Sequence, residues 1–261
     1  MKLLWRLFVV LLLLAAAPAW AAVDLQLVLA VDCSGSVSGD RFELQKQGYV
    51  AAFRDARVLQ AIRQGAGQSI AVTMLQWTGP GLQVQVVPWM EVHDAASGNA
   101  LADAIASAPR RLFRGGTSIS GVIDRAMALL DAYPVPGARR VIDISGDGAN
   151  NAGRPVSAAR DDAVAAGVVI NGLPILSVEP DLDQSYHDDV IGGDGAFLIA
   201  ISGYDRFAEA ILRKLVIEIA SNSGIPATVR RVWLQNCDDC GGNASKPRMD
   251  LGGRRKTSYS P

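Results

Sequence analysis

A carboxylate and two hydroxyls fall on alternate residues in the stretch Asp32-Cys33-Ser34-Gly35-Ser36. The run before it, Leu25-Gln26-Leu27-Val28-Leu29-Ala30-Val31, is largely apolar and reads as a buried parallel strand. In open α/β sheets, ligands bind beyond the carboxyl ends of the strands. Oxygen side chains converging there suit a hard divalent cation. Zinc would call for His or Cys, and the stretch holds one Cys and no His. By itself Asp-x-Ser-x-Ser is also an ordinary Ser- and Gly-rich turn. Two further oxygen-bearing positions raise it above that. Thr117 sits in the loop Arg114-Gly115-Gly116-Thr117-Ser118, just before a helix. Asp147 follows the strand Arg140 to Ser145, within Gly146-Asp147-Gly148. The candidate metal set is therefore Asp32, Ser34, Ser36, Thr117 and Asp147, two carboxylates and three hydroxyls. Mg²⁺ is the expected ion, with Mn²⁺ or Ca²⁺ as alternatives. Small hydroxyl ligands leave room for the waters that Mg²⁺ retains in its octahedral shell.

The elements that must position these residues alternate between strand and helix. After the first strand, Ser38 is placed to cap a helix with Asp40 in its first turn, and Phe42, Tyr49, Ala52 and Phe53 share one face. Gly65 to Gly67 ends that region. Ser69 to Trp77 and Leu82 to Trp89 read as strands joined by Thr78-Gly79-Pro80-Gly81, too short a link to cross over, so they must be antiparallel neighbours. Asp94 to Ala108 reads as a helix. The cleanest helical stripe is Ile119, Val122, Ile123, Ala126, Met127 and Leu130. Pro155 opens a further helix and Gly167 closes it. Val168 to Ile175 is a strand, Ala196 to Ile201 a last short one, and Asp205 to Ala220 a terminal helix that turns Phe207, Ile211, Leu215 and Ile219 inward. The expected fold is α/β: a Rossmann-like three-layer α/β/α sandwich, its sheet mostly parallel with one antiparallel edge strand.

The chain has 261 residues, 49% hydrophobic and 20% charged, enough for one good-sized domain. Residues 1–21 read as a secretory signal: Lys2 and Arg6, an apolar segment from Leu7 to Ala17, then Ala19-Trp20-Ala21. An exported, periplasmic or secreted protein with no stable membrane span after cleavage is the expectation. Residues 221–261 hold seven Lys/Arg against three Asp, which leaves the body between acidic and argues against a nucleic-acid partner. That extension, Gly-, Asn-, Lys- and Arg-rich from 236 onward, reads as largely flexible, with Val229 to Leu234 as a stray strand. The Cys237-x-x-Cys240 pair in it reads as a local disulfide rather than a redox centre, and Cys33 as a small buried thiol.

With all five positions in order, the chain resembles a von Willebrand factor A-type domain, in which Asp-x-Ser-x-Ser, a distant Thr and a later Asp-Gly form a metal-ion-dependent adhesion site (MIDAS). The resemblance covers roughly residues 24–220, and the hairpin fits that family's antiparallel edge. Within it, Ile144-Ser145-Gly146-Asp147-Gly148, Asn171-Gly172-Leu173-Pro174-Ile175 and Val190-Ile191-Gly192-Gly193 are similar to an exported bacterial branch, the domain of unknown function 1194 family. The resemblance implies that Ser34 and Ser36 bind the cation through their hydroxyls. Thr117, Asp32 and Asp147 would bind directly or through water. It also implies that a partner protein's Asp or Glu completes the shell. The chain departs from the family at Ser145-Gly146, where an aliphatic residue and Thr are usual, and at Asp143, a carboxylate inside an otherwise apolar strand.

These residues lead to a binding module rather than an enzyme. Rival readings are a metal-dependent hydrolase and a metal-free structural subunit of an envelope complex. A hydrolase needs a titratable base, and the only histidines are His93 and His187. Asn150 and Asn151 stand close enough to Asp147 to line the same face. The acidic run Glu179, Asp181, Asp183, Asp188, Asp189 reads as a solvated loop. A buried Asp143 needs a partner or a raised pKa.

Overall fold

The first strand, β1 (Leu25–Asp32), is buried along its whole length. It is central in a five-stranded sheet of order β3-β2-β1-β4-β5. The others are β2 (Ile70–Trp77), β3 (Gln83–Val92), β4 (Arg140–Gly146) and β5 (Val168–Pro174). All neighbours are parallel except β2 and β3, so the hairpin supplies an antiparallel edge. The structure is a computed structural model and describes residues 23–221. The leader, the stray strand at Val229 to Leu234 and the Cys237/Cys240 pair lie outside the described residues.

Strand alternation splits the core in two. Leu25, Leu27, Leu29 and Val31 face one layer, built by α1 (Gly39–Arg54), α2 (Ala56–Arg63), α3 (Ala95–Ser107) and α7 (Phe207–Ala220). Val28 and Ala30 face the other, built by α4 (Ile119–Ala132), α5 (Val156–Ala165), the single turn α6 (Leu182–Ser185) and the π-turn Tyr186–Val190. The result is the expected three-layer α/β/α sandwich. Local chemistry fixes the helix starts. Ser38 accepts from the Arg41 amide, Ser118 from Gly121, and Asp94 forms a reciprocal cap with Ser97.

The structure corrects the sequence reading in three places. The first helical region is two helices, because Asp55 leaves the helix (ψ 133°) and its carboxylate takes the Arg57 amide to start α2. β3 extends past Trp89 to Val92. Ala196 to Ile201 is not a strand but runs along β5 through isolated bridges, Leu198 to Gly172 and Ile201 to Ile175. Pro174 lies between those bridges and has no N–H to continue a ladder.

Asp143 is fully buried on β4, and its partner comes from α7. Lys214 Nζ lies 2.6 Å from Asp143 Oδ1 and 2.6 Å from Glu218 Oε1, with all three side chains at zero exposure. Asn171 Nδ2 donates to Glu218 Oε1 at 2.9 Å, and the Phe197 ring lies 5.2 Å from the ammonium. Burial foremost, then the Glu218 charge, pushes the Asp143 pKa up to about 7, with Lys214 opposing.

Candidate metal centre

Two chain segments leaving one end of the sheet meet at the site. Asp32 closes β1, Ser34 and Ser36 lie in the turn to α1, and Asp147 follows β4, the parallel neighbour of β1. The Ser34 amide donates to Asp32 Oδ1 at 2.6 Å, and the Asp147 amide approaches Asp32 Oδ2 at 3.4 Å. Ser36 Oγ donates to Asp147 Oδ1 at 2.5 Å and lies 3.1 Å from Ser34 Oγ. Asp32, Ser34, Ser36 and Asp147 thus form one connected group.

Thr117 is brought to it by backbone. Thr78 Oγ1 donates to Arg114 O and Gly116 O, both at 3.0 Å, and props the glycine loop. Gly115 there has φ +126°, and a Cβ on it would lie 2.5 Å from Thr78 Oγ1, so only glycine fits. The Gly35 amide reaches Gly115 O at 3.4 Å, which ties the Ser34 turn to this loop. Asn151 staples the other side: its Oδ1 accepts from the Thr117 amide at 2.8 Å and its own amide donates to Thr117 O at 2.9 Å. Asn150 Oδ1 accepts from the Ser120 amide. The two asparagines therefore hold the Thr117 and Asp147 loops together. Thr117 Oγ1 packs against Gly148, 3.4 Å from where a Cβ would stand.

Four neighbours of the site carried no signal in the sequence pattern. Tyr204, in the 3₁₀ turn before α7, donates its hydroxyl to Asp147 Oδ2 at 2.9 Å. Arg41, in the first turn of α1, places Nη1 3.4 Å from the same Oδ2 and donates to Ser36 O at 3.0 Å. Glu179 is not simply part of a solvated run: its Oε2 accepts from the Ala149 amide at 3.1 Å, next to Gly148. Tyr186 is buried against two glycines. A Cβ on Gly146 would lie 2.9 Å from its hydroxyl, and one on Gly172 2.7 Å from its ring. The unusual Gly146 before Asp147 is thus the space into which Tyr186 fits. The Tyr186 hydroxyl has no hydrogen-bond partner among the described residues and points to the Asp32 side of the site.

The electrostatics follow from burial. Asp32 and Asp147 are both fully buried. Desolvation raises the Asp32 pKa to about 7, with the Ser34 hydrogen bonds opposing and the Asp147 charge adding to it. Cys33 is pushed up to about 12 by burial and by Asp32, so it is a packed thiol and not a nucleophile. Of the two buried acids Asp147 is met by Arg41, while Ser36 stays exposed and opens the group to solvent. The donors are all hard oxygens, four of the five residues are already linked to one another, and the unpartnered Tyr186 hydroxyl lies on the Asp32 side. That set fits a small hard cation with water in its shell. Among the described residues no group of three or more His, Cys, Asp or Glu is placed to hold a metal, so a cation here would take the rest of its shell from hydroxyls and water.

Comparison with known proteins agrees with this architecture. The profile of a family described as protein of unknown function (DUF1194) matches residues 22–223. No curated protein matches. Among solved structures, the chain is similar to proximal thread matrix protein 1 from the mussel byssus, solved with a zinc-occupied MIDAS motif (TM-score 0.55, 15% identity, 77% of this chain and 46% of that one). It is also similar to the pilus adhesin SpaC from Lactobacillus rhamnosus GG (TM-score 0.56, 15% identity, 77% and 30%). A von Willebrand factor type A protein from Catenulispora acidiphila aligns at TM-score 0.50 with 14% identity over 78% and 43%. The chain therefore spans less than half the length of each of these proteins. At such identities the likeness speaks for the fold.

Proposed function

This chain belongs to the DUF1194 family, and from that premise we propose that it is an exported binding module that recognises a partner protein's Asp or Glu through a divalent cation. The fold is that of von Willebrand factor A domains, which supports a protein-interaction role. The observation that carries the finer reading is the contact group itself: Ser36 Oγ 2.5 Å from Asp147 Oδ1 and 3.1 Å from Ser34 Oγ, with Asp32 bound to the Ser34 amide.

Ser34 and Ser36 would hold the ion through their hydroxyls, and Asp32, Thr117 and Asp147 would hold it directly or through water. Mg²⁺ is the ion proposed, with Mn²⁺ or Ca²⁺ fitting the same oxygens. Bound there, such an ion supplies an electrophilic centre for a carboxylate oxygen. The protein's part is to keep that centre short of negative charge. Only two carboxylates belong to the set, and Arg41 already offsets one of them. Asn150, Asn151 and Thr78 fix the loops, so the oxygens are presented with little left to order on binding. Export is proposed from the leader-like pattern of residues 1–21. Among the described residues no helix is long and apolar enough to cross a membrane.

Calorimetric titration with Mg²⁺, followed by affinity capture from envelope extract with Mg²⁺ and again with chelator, tests the reading. Saturable Mg²⁺ binding and a partner released by chelator are expected. A protein that binds no divalent cation at millimolar concentration would remove the basis of the proposal.

A further inference from the structure

Building on the divalent-cation reading, we propose that Arg41 is a second ligand-binding group of the same site, a fixed guanidinium that receives the partner's carboxylate beside the cation. Arg41 sits in the first turn of α1, where the helix dipole disfavours positive charge. Its contacts explain why it stays. Ser36 O accepts from Nη1 at 3.0 Å, Asp147 Oδ2 lies 3.4 Å from the same Nη1, and the Tyr204 ring backs the guanidinium at 5.3 Å. The anchor is rigid, because Asp147 is wholly buried and Tyr204 donates to the same Oδ2.

The guanidinium is held by one end only. Its hydrogen bonds all use Nη1, and Nε and Nη2 make none among the described residues. The side chain is 34% exposed. A guanidinium is a rigid fork of N–H donors that takes a carboxylate by two parallel bonds. The unused donors belong to the same planar group as Nη1, which is held by Ser36 O and Asp147 Oδ2, and Ser36 and Asp147 both belong to the proposed cation set. A ligand arriving at the cation therefore meets a second, oriented positive group. A neutral oxygen ligand satisfies the cation alone, whereas a carboxylate with two oxygens satisfies both. The site should select Asp, Glu or a chain carboxyl terminus over amide or hydroxyl ligands. Since Asp147 is shared between Arg41 and the cation set, the arginine also leaves the ion more electrophilic.

The test uses the purified protein, its Arg41→Gln variant, and acetate and acetamide as probes. Calorimetry reads Mg²⁺ affinity, and saturation-transfer NMR reads probe binding in excess Mg²⁺ and in chelator. The parent should bind acetate only with Mg²⁺ and acetamide far more weakly. Arg41→Gln should bind Mg²⁺ at least as tightly as the parent, since a neighbouring positive charge is gone. Its acetate affinity should fall about tenfold, the scale of a lost charge-assisted hydrogen bond. Acetate affinity within twofold of the parent overturns the proposal. So does loss of Mg²⁺ binding in Arg41→Gln, which makes Arg41 a support for Asp147 only. A parent that binds Mg²⁺ but not acetate overturns the proposal and leaves the cation site standing. A parent that binds no Mg²⁺ overturns both.

Discussion

Replacing Lys214 by Met should destabilise the protein strongly, and more so as pH rises. The ammonium lies 2.6 Å from one oxygen of each of two fully buried carboxylates, Asp143 and Glu218. Met fills similar space but leaves those acids without a counter-charge. Breaking a buried ion pair by removing one partner costs about 3–5 kcal/mol. In a domain of this size that is a fall in Tm of roughly 6–20 °C, at about 2–4 °C per kcal/mol. Replacing the whole triad is a different experiment. Asp143→Val, Lys214→Met and Glu218→Gln together remove both unpaired charges, while the side-chain amide introduced in place of Glu218 still accepts from Asn171. The triple variant should recover most of the loss.

The pH dependence has a definite sign. Asp143 has its pKa raised to about 7 from an ordinary 3.8. A raised carboxyl contributes stability that is full below about pH 4 and is lost as pH climbs through about 7. Lys214 is what holds that value down against desolvation and Glu218. Without it Asp143 keeps its proton to still higher pH, so the window of loss extends above 7. The penalty of Lys214→Met should therefore be smallest near pH 5 and largest near pH 8, read by urea unfolding at both. A variant within about 1 kcal/mol of the parent at pH 8 would show that Lys214 is not the charge holding this cluster, since lost buried pairs cost several times that.

Other expectations follow from the site and its packing. At a Mg²⁺ concentration of about 100 Kd the parent should gain roughly 2.7 kcal/mol in unfolding experiments, while Asp147→Asn should gain little and Ser34→Ala an intermediate amount. In chelator, Asp147→Asn should lose about 1 kcal/mol rather than gain, because the hydrogen bond from Ser36, the one from Tyr204 and the Arg41 ion pair weaken together; a clear gain would mean that Asp32–Asp147 repulsion outweighs them. Cys33, with a pKa near 12 and no exposure, should resist alkylation at pH 8 until denaturant is added, and prompt labelling of the native protein would contradict its burial. Gly48→Ala, whose new Cβ would stand 2.7 Å from Phe207 Cδ1, should cost about 1–3 kcal/mol by forcing α1 off α7, checked by thermal melting.

How much was legible in the sequence depended on whether the signal was local. β1 showed itself as an apolar run, α4 as a stripe, and the hairpin through a link too short to cross over. The candidate oxygen residues could be picked out by type and spacing, Asp32, Ser34, Ser36 and Asp147 at or just after strands and Thr117 in a glycine loop before a helix. Arg41 did not, because at a helix start it looks like any solvated side chain until Asp147, 106 positions on, is placed beside it. Tyr204 and Tyr186 met the site through turns with no periodicity to read. Glu179 was hidden among other acids. Lys214 had a faint signal: with Glu218 it falls on the inward stripe of α7 beside Ile211 and Leu215, and a charged pair on that stripe called for a partner such as Asp143. Ala196 to Ile201 misled because its apolar residues fit a strand, whereas the ladder beside it is broken by Pro174.

The sheet carries two groups of buried acid, and the difference between them argues for what the site does. Under α7, Asp143 and Glu218 share an internal ammonium at contact distance and are sealed from water. That group needs nothing from outside, and its excess acid is met by a raised pKa. At the strand ends, Asp32 and Asp147 are just as buried, yet the basic side chain there, Arg41, lies 3.4 Å from one oxygen of Asp147 and is still a third exposed. Asp32 takes two backbone amides and the Ser34 hydroxyl, and Ser36 carries the contact on from Ser34 to Asp147. A protein able to supply an internal lysine midway along β4 has left the strand ends with one partly exposed arginine, on one of their two acids. An arrangement of that kind is what a small cation from solution would complete, and it is why the site, unlike the triad, is the part of this molecule to test for binding.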